Sequence, residues 1–194
     1  GLIPMFLPDY QSVENEALRS TYEKFWGTTL APKRGLTVVE VVNAIHAGQV
    51  RGMYIMGENP AMSDPDVHHA REALAKLQHL VVQDIFLTET AFHADVVLPA
   101  SAWPEKDGTV TNTNRQVQMG RQALPMPGDA HQDWRIIQDI AAALGRPHGF
   151  TFASPREIFE ELRTASKGGV ADYSGITYEK IEQQMGVFWP CYAA

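Results

Sequence analysis

The sequence predicts an α/β fold: a doubly wound, dinucleotide-binding-like parallel sheet with helices on both faces, an irregular loop excursion and C-terminal helices. Three observations predict it. Short apolar runs at 53–56, 80–82 and 95–98 alternate with helical patterns. Apart from Asp95 each run is continuously apolar, as strands buried on both faces are. Each ends in a turn sequence: Gly57-Glu58-Asn59, Gln83-Asp84 and Pro99-Ala100-Ser101.

Residues 1–36 are expected to be irregular. Pro4, Pro8, Gly27, Pro32 and Gly35 interrupt them, and one helical stretch is possible around Asn15 to Trp26. Residues 37–102 read as the α/β core. Thr37 and Glu40 have capping-box spacing, Val38, Val41, Val42 and Ile45 share a helical face, and Gly48 closes the helix. After the first strand, Asp64-Pro65 is expected to start a helix with Val67, Ala70, Leu74 and Leu77 as its buried stripe. Thr88 to His93 suits a short helix before the third strand.

Residues 103–128 form the excursion. Glu105-Lys106-Asp107-Gly108, Thr111-Asn112-Thr113-Asn114 and Pro125-Met126-Pro127-Gly128 are turn-rich, with a possible strand near Gln116-Val117-Gln118. Residues 129–194 read as a helical part of the same domain. A helix over Asp133 to Leu144 turns Trp134, Ile137, Ala141 and Leu144 inward and stops at Gly145. Ser154-Pro155-Arg156-Glu157 opens another, with Ile158, Phe159 and Leu162 on its apolar face. A last short helix spans Thr177 to Met185.

Composition excludes several function classes. The 194 residues are 44% hydrophobic and 20% charged, enough to bury a core. A net charge of -7 argues against a nucleic-acid surface. Local dipoles and a few cations would have to hold any anionic ligand. No apolar run is long enough to cross a bilayer, and a cytoplasmic location is expected. Cys191 is the single cysteine, so the chain holds no internal disulfide framework and no cluster built on its own thiolates. Gly1-Leu2-Ile3-Pro4 lacks an initiator Met and signal-peptide features, so the chain is expected to be cut from a longer one.

Ligands of open α/β sheets bind at the carboxyl ends of the strands. Gly57 lets backbone approach a ligand, Asn59 donates and accepts, and Asp84 can accept ribose hydroxyls. Pro60, Ser63 and Asp64 lead toward a helix whose first amides could face a phosphate. The same residues are also ordinary turn and cap chemistry, and the pattern alone leaves both readings open. Gly-x-Gly-x-x-Gly is absent after the first strand, as is a Walker loop, and Ser63 and Ser101 lack a nucleophile-elbow context. His68 and His69 are adjacent on a helix and diverge. The seven histidines read as surface or structural, and Trp134 and Trp189 as core or interface.

Met56-Gly57-Glu58-Asn59-Pro60, the run from Val82 to Ala91, and Ala94-Asp95-Val96-Val97-Leu98-Pro99 resemble a dinucleotide-fold region of the molybdopterin oxidoreductases. Glu105 to Asn112 and Arg115-Gln116-Val117-Gln118 resemble the family's next segment. Asp133-Trp134 and the stretch from Gly186 to Cys191 narrow the likeness to the formate dehydrogenase alpha subunit. The resemblance implies a bis-molybdopterin guanine dinucleotide cofactor, one guanosine half of which this region would hold. It implies contacts from Gly57, Glu58, Asn59, Ser63, Gln83, Asp84, Ala100 and Asp133. Asp133 would accept from guanine, Gln83 and Asp84 would face ribose or base, and Asn59 with Ser63 would face phosphate or sugar. Ala100 departs from relatives with serine there, which leaves its backbone alone to bind.

The resemblance also implies molybdenum or tungsten and a 4Fe-4S cluster in the parent enzyme, held by segments outside this chain. The parent would oxidise formate to carbon dioxide, and this piece alone would be inactive. Its partners would be the remaining domains of the parent subunit and electron-transfer subunits, with no nucleic acid and no membrane. Two rivals stand beside this reading. One is a scaffold relative of the large iron–sulfur subunit of NADH dehydrogenase; the other is another molybdopterin enzyme such as a nitrate reductase.

Overall fold

The computed structural model describes residues 4–193. Its elements begin with β1 (Phe6–Leu7), β2 (Gln11–Ser12), α1 (Glu16–Trp26), α2 (Val38–His46), β3 (Gly52–Met56), α3 (Pro60–Ser63) and α4 (Val67–Leu74). Then come β4 (His79–Asp84), β5 (Val96–Pro99), β6 (Gly108–Thr111), β7 (Gln116–Gly120), α5 (Asp133–Ala143), α6 (Pro155–Ala165), α7 (Tyr178–Gln184) and β8 (Val187–Phe188). None of the described helices is long and apolar enough to cross a membrane.

The elements fall into two compact units. One holds Leu36–Ala102 and Met126–Ile136; the other holds 4–35, Trp103–Pro125 and 137–193. Residues 126–136 thus share a unit with 36–102, and residues 4–35 share one with 103–125 and 137–193. Which distant segments share a core depends on contacts far apart in sequence, and local periodicity does not record them.

In the first unit β3, β4 and β5 form a parallel sheet in sequential order. Ile55, Leu80 and Val82 pack with Ala61, Leu74 and Ala91 into a buried cluster, joined by Met53, Leu77, Ala94 and Val97. Strand alternation sends Tyr54, Met56, Val81, Gln83, Val96 and Leu98 to the opposite face. The capping box of α2 is complete: the Thr37 amide donates to Glu40 Oε2 at 2.7 Å and the Glu40 amide to Thr37 Oγ1 at 3.4 Å. The His46 ring of α2 stacks on His69 of α4 at 4.0 Å, and His46 Nδ1 lies 2.8 Å from Lys76 Nζ. These two histidines join helices.

Several local expectations shift. The second core helix starts at Val67, capped by Asp66, whose carboxylate accepts the His69 amide at 3.1 Å. Asp64 is extended because it precedes proline, which disfavours the helical region. Thr88 to His93 condenses to a single 3-10 turn at Ala91–His93. Val38, expected inward, is 58% exposed.

In the second unit the expected excursion contains a hairpin. β6 and β7 pair antiparallel, and β8 adds to β7 from far along the chain. Val117, Phe159, Ile176, Ile181 and Val187 form its buried core. The Thr111 to Asn114 turn signal is the hairpin turn itself, and the strands on either side gain their hydrophobic partners only through α6, α7 and β8. The Asn15 carboxamide accepts the Ala17 and Leu18 amides, which starts α1 at the helical stretch read from Asn15 to Trp26. Leu144, expected inward, is 72% exposed, because α5 ends at Ala143.

Candidate functional site

The carboxyl ends of β3, β4 and β5 lie side by side, so the strand-end residues come together. Cα partners are Met56 with Gln83 and Asp84 with Pro99, and Ala100 then bridges His131 in parallel. Gly57 follows β3 with φ +64, a left-handed conformation that favours glycine, and its amide donates to the Gln83 carbonyl at 2.9 Å. Nothing lies within 4 Å of where a Cβ would stand, so the fold leaves that side open. Glu58 beside it is exposed. Asp84 Oδ1 accepts the Ile85 amide at 2.7 Å, and the Ala100 amide donates to the Asp84 carbonyl at 3.0 Å.

Gln83 is fully buried at 0% exposure, and both ends of its carboxamide are engaged. Its Oε1 accepts from the Tyr54 hydroxyl, and its Nε2 donates to Asp133 Oδ1 at 2.8 Å. Asp133 is the first residue of α5, where a carboxylate meets the positive end of the helix. Burial, and then the charge of Asp133, push the Tyr54 phenol above its ordinary range.

Asn59 and Ser63 are committed to the fold. Asn59 Oδ1 accepts the Thr90 amide at 3.1 Å and the Thr90 hydroxyl at 2.7 Å, while Nδ2 donates to Glu89 Oε2 at 2.7 Å. That last bond is the main reason the Glu89 carboxyl sits below its ordinary value. Ser63 Oγ donates to the Asn59 carbonyl at 3.0 Å. The amides of Met62 and Ser63 donate to the same carbonyl, each at 2.9 Å, and the Ala61 amide to Thr90 Oγ1 at 3.0 Å. α3 has only four residues, and these amides have protein partners.

Sequence reasoning missed Tyr54, Glu89 and Thr90. Thr90 is buried, accepts from Ala61 and donates to Asn59. The signal that could have found it is a hydroxyl residue beside a buried alanine in an otherwise apolar crossover. Asp64 nearby has its carboxyl pushed up, by burial first and by Glu58 second. Taken together, Glu58, Asp84, Asp133 and the Gly57 backbone make an acceptor-rich edge. Such an edge suits a ligand that presents N–H and O–H donors.

The three-stranded parallel sheet with its helices, and with polar residues collected at its carboxyl edge, defines an α/β protein. The chain belongs to the molybdopterin oxidoreductase family, whose model matches residues 13–143. It is 47% identical over 191 residues to the F420-dependent formate dehydrogenase subunit alpha of Methanocaldococcus jannaschii, covering 98% of this chain and 27% of that protein. It is 43% identical over 187 residues to the assimilatory nitrate reductase catalytic subunit of Bacillus subtilis, covering 95% of this chain and 26% of that one. Acetylene hydratase from Pelobacter acetylenicus shares the fold, with a TM-score of 0.63 over 88% of this chain and 23% of its own, at 19% identity. The chain thus spans about a quarter of the length of these relatives.

Proposed function

We propose that this chain is the part of a molybdopterin-dependent formate dehydrogenase catalytic subunit that holds one guanosine half of a bis-molybdopterin guanine dinucleotide cofactor. The carrying observation is the Gln83–Asp133 hydrogen bond at the carboxyl edge of the sheet. A buried carboxamide that pins one carboxylate oxygen fixes the plane of that carboxylate in advance. Guanine presents a ring N–H and an exocyclic amine side by side, which a fixed carboxylate can accept together. In this reading Asp133 reads the base, Asp84 accepts ribose hydroxyls, and Gly57 with Glu58 borders the approach. Gln83 holds Asp133 and the Gly57 amide, the Ala100 amide holds the Asp84 carbonyl, and Asn59 with Ser63 fixes the turn after β3.

The donor set fits a guanosine better than a phosphate, since the amides of Ala61, Met62 and Ser63 are already occupied. When bound, the cofactor supplies the redox chemistry at its molybdenum or tungsten. Turnover of formate, and electron transfer to a 4Fe-4S cluster, belong to the complete enzyme and its remaining domains. The nitrate reductase relative supports a second reading with the same cofactor half and a different substrate. Assaying the complete polypeptide with formate and with nitrate separates the two.

Calorimetric titration with GMP, GDP, AMP and NAD tests the guanosine reading, repeated on Asp133→Asn. The variant keeps an oxygen for Gln83 but loses the second charged acceptor. Selective binding of GMP and GDP, weakened about 10- to 100-fold in the variant, is expected. Equal affinity for all four nucleotides, or none for any, would count against it.

A further inference from the structure

Tyr54 and Gln83 stand on adjacent strands and share a face of the sheet. In the parallel register Tyr54 is level with Val81 and Gln83 with Met56, so strand alternation turns both side chains the same way. The Tyr54 hydroxyl donates to Gln83 Oε1, and Gln83 Nε2 donates to Asp133 Oδ1 at 2.8 Å. Side chains from β3, β4 and α5 thus form one hydrogen-bonded row. Chemistry fixes the direction of each bond. A carboxylate only accepts, so the nitrogen of the carboxamide must face Asp133, and its oxygen then needs a donor on the other side. Tyr54 is that donor.

Burial makes the donor matter. Gln83 is 0% exposed, so bulk water does not reach its carboxamide. A glutamine side chain is rich in rotamers, and a single hydrogen bond leaves it free to pivot about the contact. A second bond, from a phenol whose stiff ring turns about only two side-chain angles, holds the carboxamide at both ends. Burial and then the charge of Asp133 push the Tyr54 phenol above its ordinary range, so the hydroxyl keeps its proton and donates at neutral pH. The two ends of the row therefore act on each other as well as on Gln83.

We propose that Tyr54 is a positioning residue that sets selectivity for guanine. It acts through Gln83: the hydroxyl holds the carboxamide, the carboxamide holds Asp133 Oδ1, and the carboxylate plane stays where the ring N–H and the exocyclic amine of guanine both reach it. This rests on the cofactor reading above and deepens it, because it names the residue that separates guanine from purines with only one of those donors. Without the hydroxyl, Gln83 Oε1 is a buried acceptor that has lost its partner, and the carboxamide gains by turning away from Asp133 to find another. The carboxylate then pivots. A purine that offers only the ring N–H tolerates the pivot, whereas guanine, which uses both donors at once, does not.

Calorimetric titration of the cofactor-free complete polypeptide with GMP, IMP and AMP tests the proposal. IMP keeps the ring N–H and lacks the exocyclic amine beside it; AMP lacks the pair altogether. The parent is expected to prefer GMP over IMP by about 10- to 100-fold, and Tyr54→Phe to lower that ratio about tenfold. Replacing Tyr54 with 4-aminophenylalanine, which puts a donor back at the end of the ring, is expected to restore the ratio. Replacing it with 4-methoxyphenylalanine, which keeps the oxygen without its proton, is expected to act as Phe does and serves where Tyr54→Phe does not fold. A selective parent whose Phe and methoxy variants keep its ratio, or lose GMP and IMP in equal proportion, would reduce Tyr54 to packing and overturn the proposal alone. A parent that binds all three nucleotides alike sinks the cofactor reading, and the role of Tyr54 with it.

Discussion

Gln83 Nε2 lies 2.8 Å from Asp133 Oδ1, joining the end of the central strand β4 to the first residue of α5. The other end of the same carboxamide accepts from Tyr54, so one buried side chain ties together three segments of the sheet edge. Gln83→Ala should leave Asp133 and the Tyr54 hydroxyl without this partner and cost about 2–4 kcal/mol. Urea denaturation followed by circular dichroism measures the loss. A cost within about 0.5 kcal/mol would show that water replaces the carboxamide at no penalty.

The Asn59–Thr90 pair should behave as a coupled unit. Asn59→Ala removes the acceptor for both the amide and the hydroxyl of Thr90, and Thr90→Val removes the hydroxyl that also accepts from Ala61. Each change is expected to cost about 1–3 kcal/mol, with the double variant less destabilised than the sum. Strict additivity would sever the pair. In Asn59→Ala the Glu89 carboxyl should also titrate at a higher pH, since the Asn59 bond is the first cause of its depression.

Gly57→Ala separates backbone strain from ligand approach. The fold has room for a Cβ, so stability should fall by only about 1–2 kcal/mol, from the left-handed conformation. Under the cofactor reading, calorimetry should show GDP binding fall further than folding does. Unchanged affinity would remove Gly57 from the approach path.

Asp9, in the second unit, is expected to make stability depend on pH. It adopts φ 66, its Oδ1 accepts the Ala171 amide, and its Oδ2 is buried with no hydrogen-bond partner among the described residues. Burial is the largest influence and raises its pKa above the ordinary 3.8; the Ala171 bond opposes this, and Asp172 adds to the rise. A raised carboxyl favours folding while protonated, so its contribution is present below the unfolded value and lost as pH rises through the folded one. Asn suits the left-handed backbone and carries no charge. Asp9→Asn should therefore gain stability relative to the parent as pH rises from about 4 to about 7. Parallel urea curves at both ends of that window check the sign. A constant difference would mean that Asp9 does not titrate between folded and unfolded states.

What could be read from the chain is what depends on neighbours a few residues away. The Thr37–Glu40 capping box, the continuously apolar runs that became β3, β4 and β5, and the Gly57 and Gln83-Asp84 strand ends all carry local signatures. Their side-chain spacing and backbone preferences act within one or two turns. The partners of each polar group were decided by tertiary structure. A side chain makes few hydrogen bonds, and the nearest satisfied geometry takes them. Asn59 resembles a ligand contact in the sequence, but the crossover after β4 brings Thr90 and Glu89 to it first. Asp133 reads as a helix start, and only the pleat of β4, which turns Gln83 toward it, makes it part of the sheet edge. The hairpin of β6 and β7 was equally hidden, because the strand that completes its sheet, β8, lies at the far end of the chain. Local chemistry set the elements and the edge on which the polar groups stand. Chain closure over long distances decided which of those groups face outward and which are held by the protein itself.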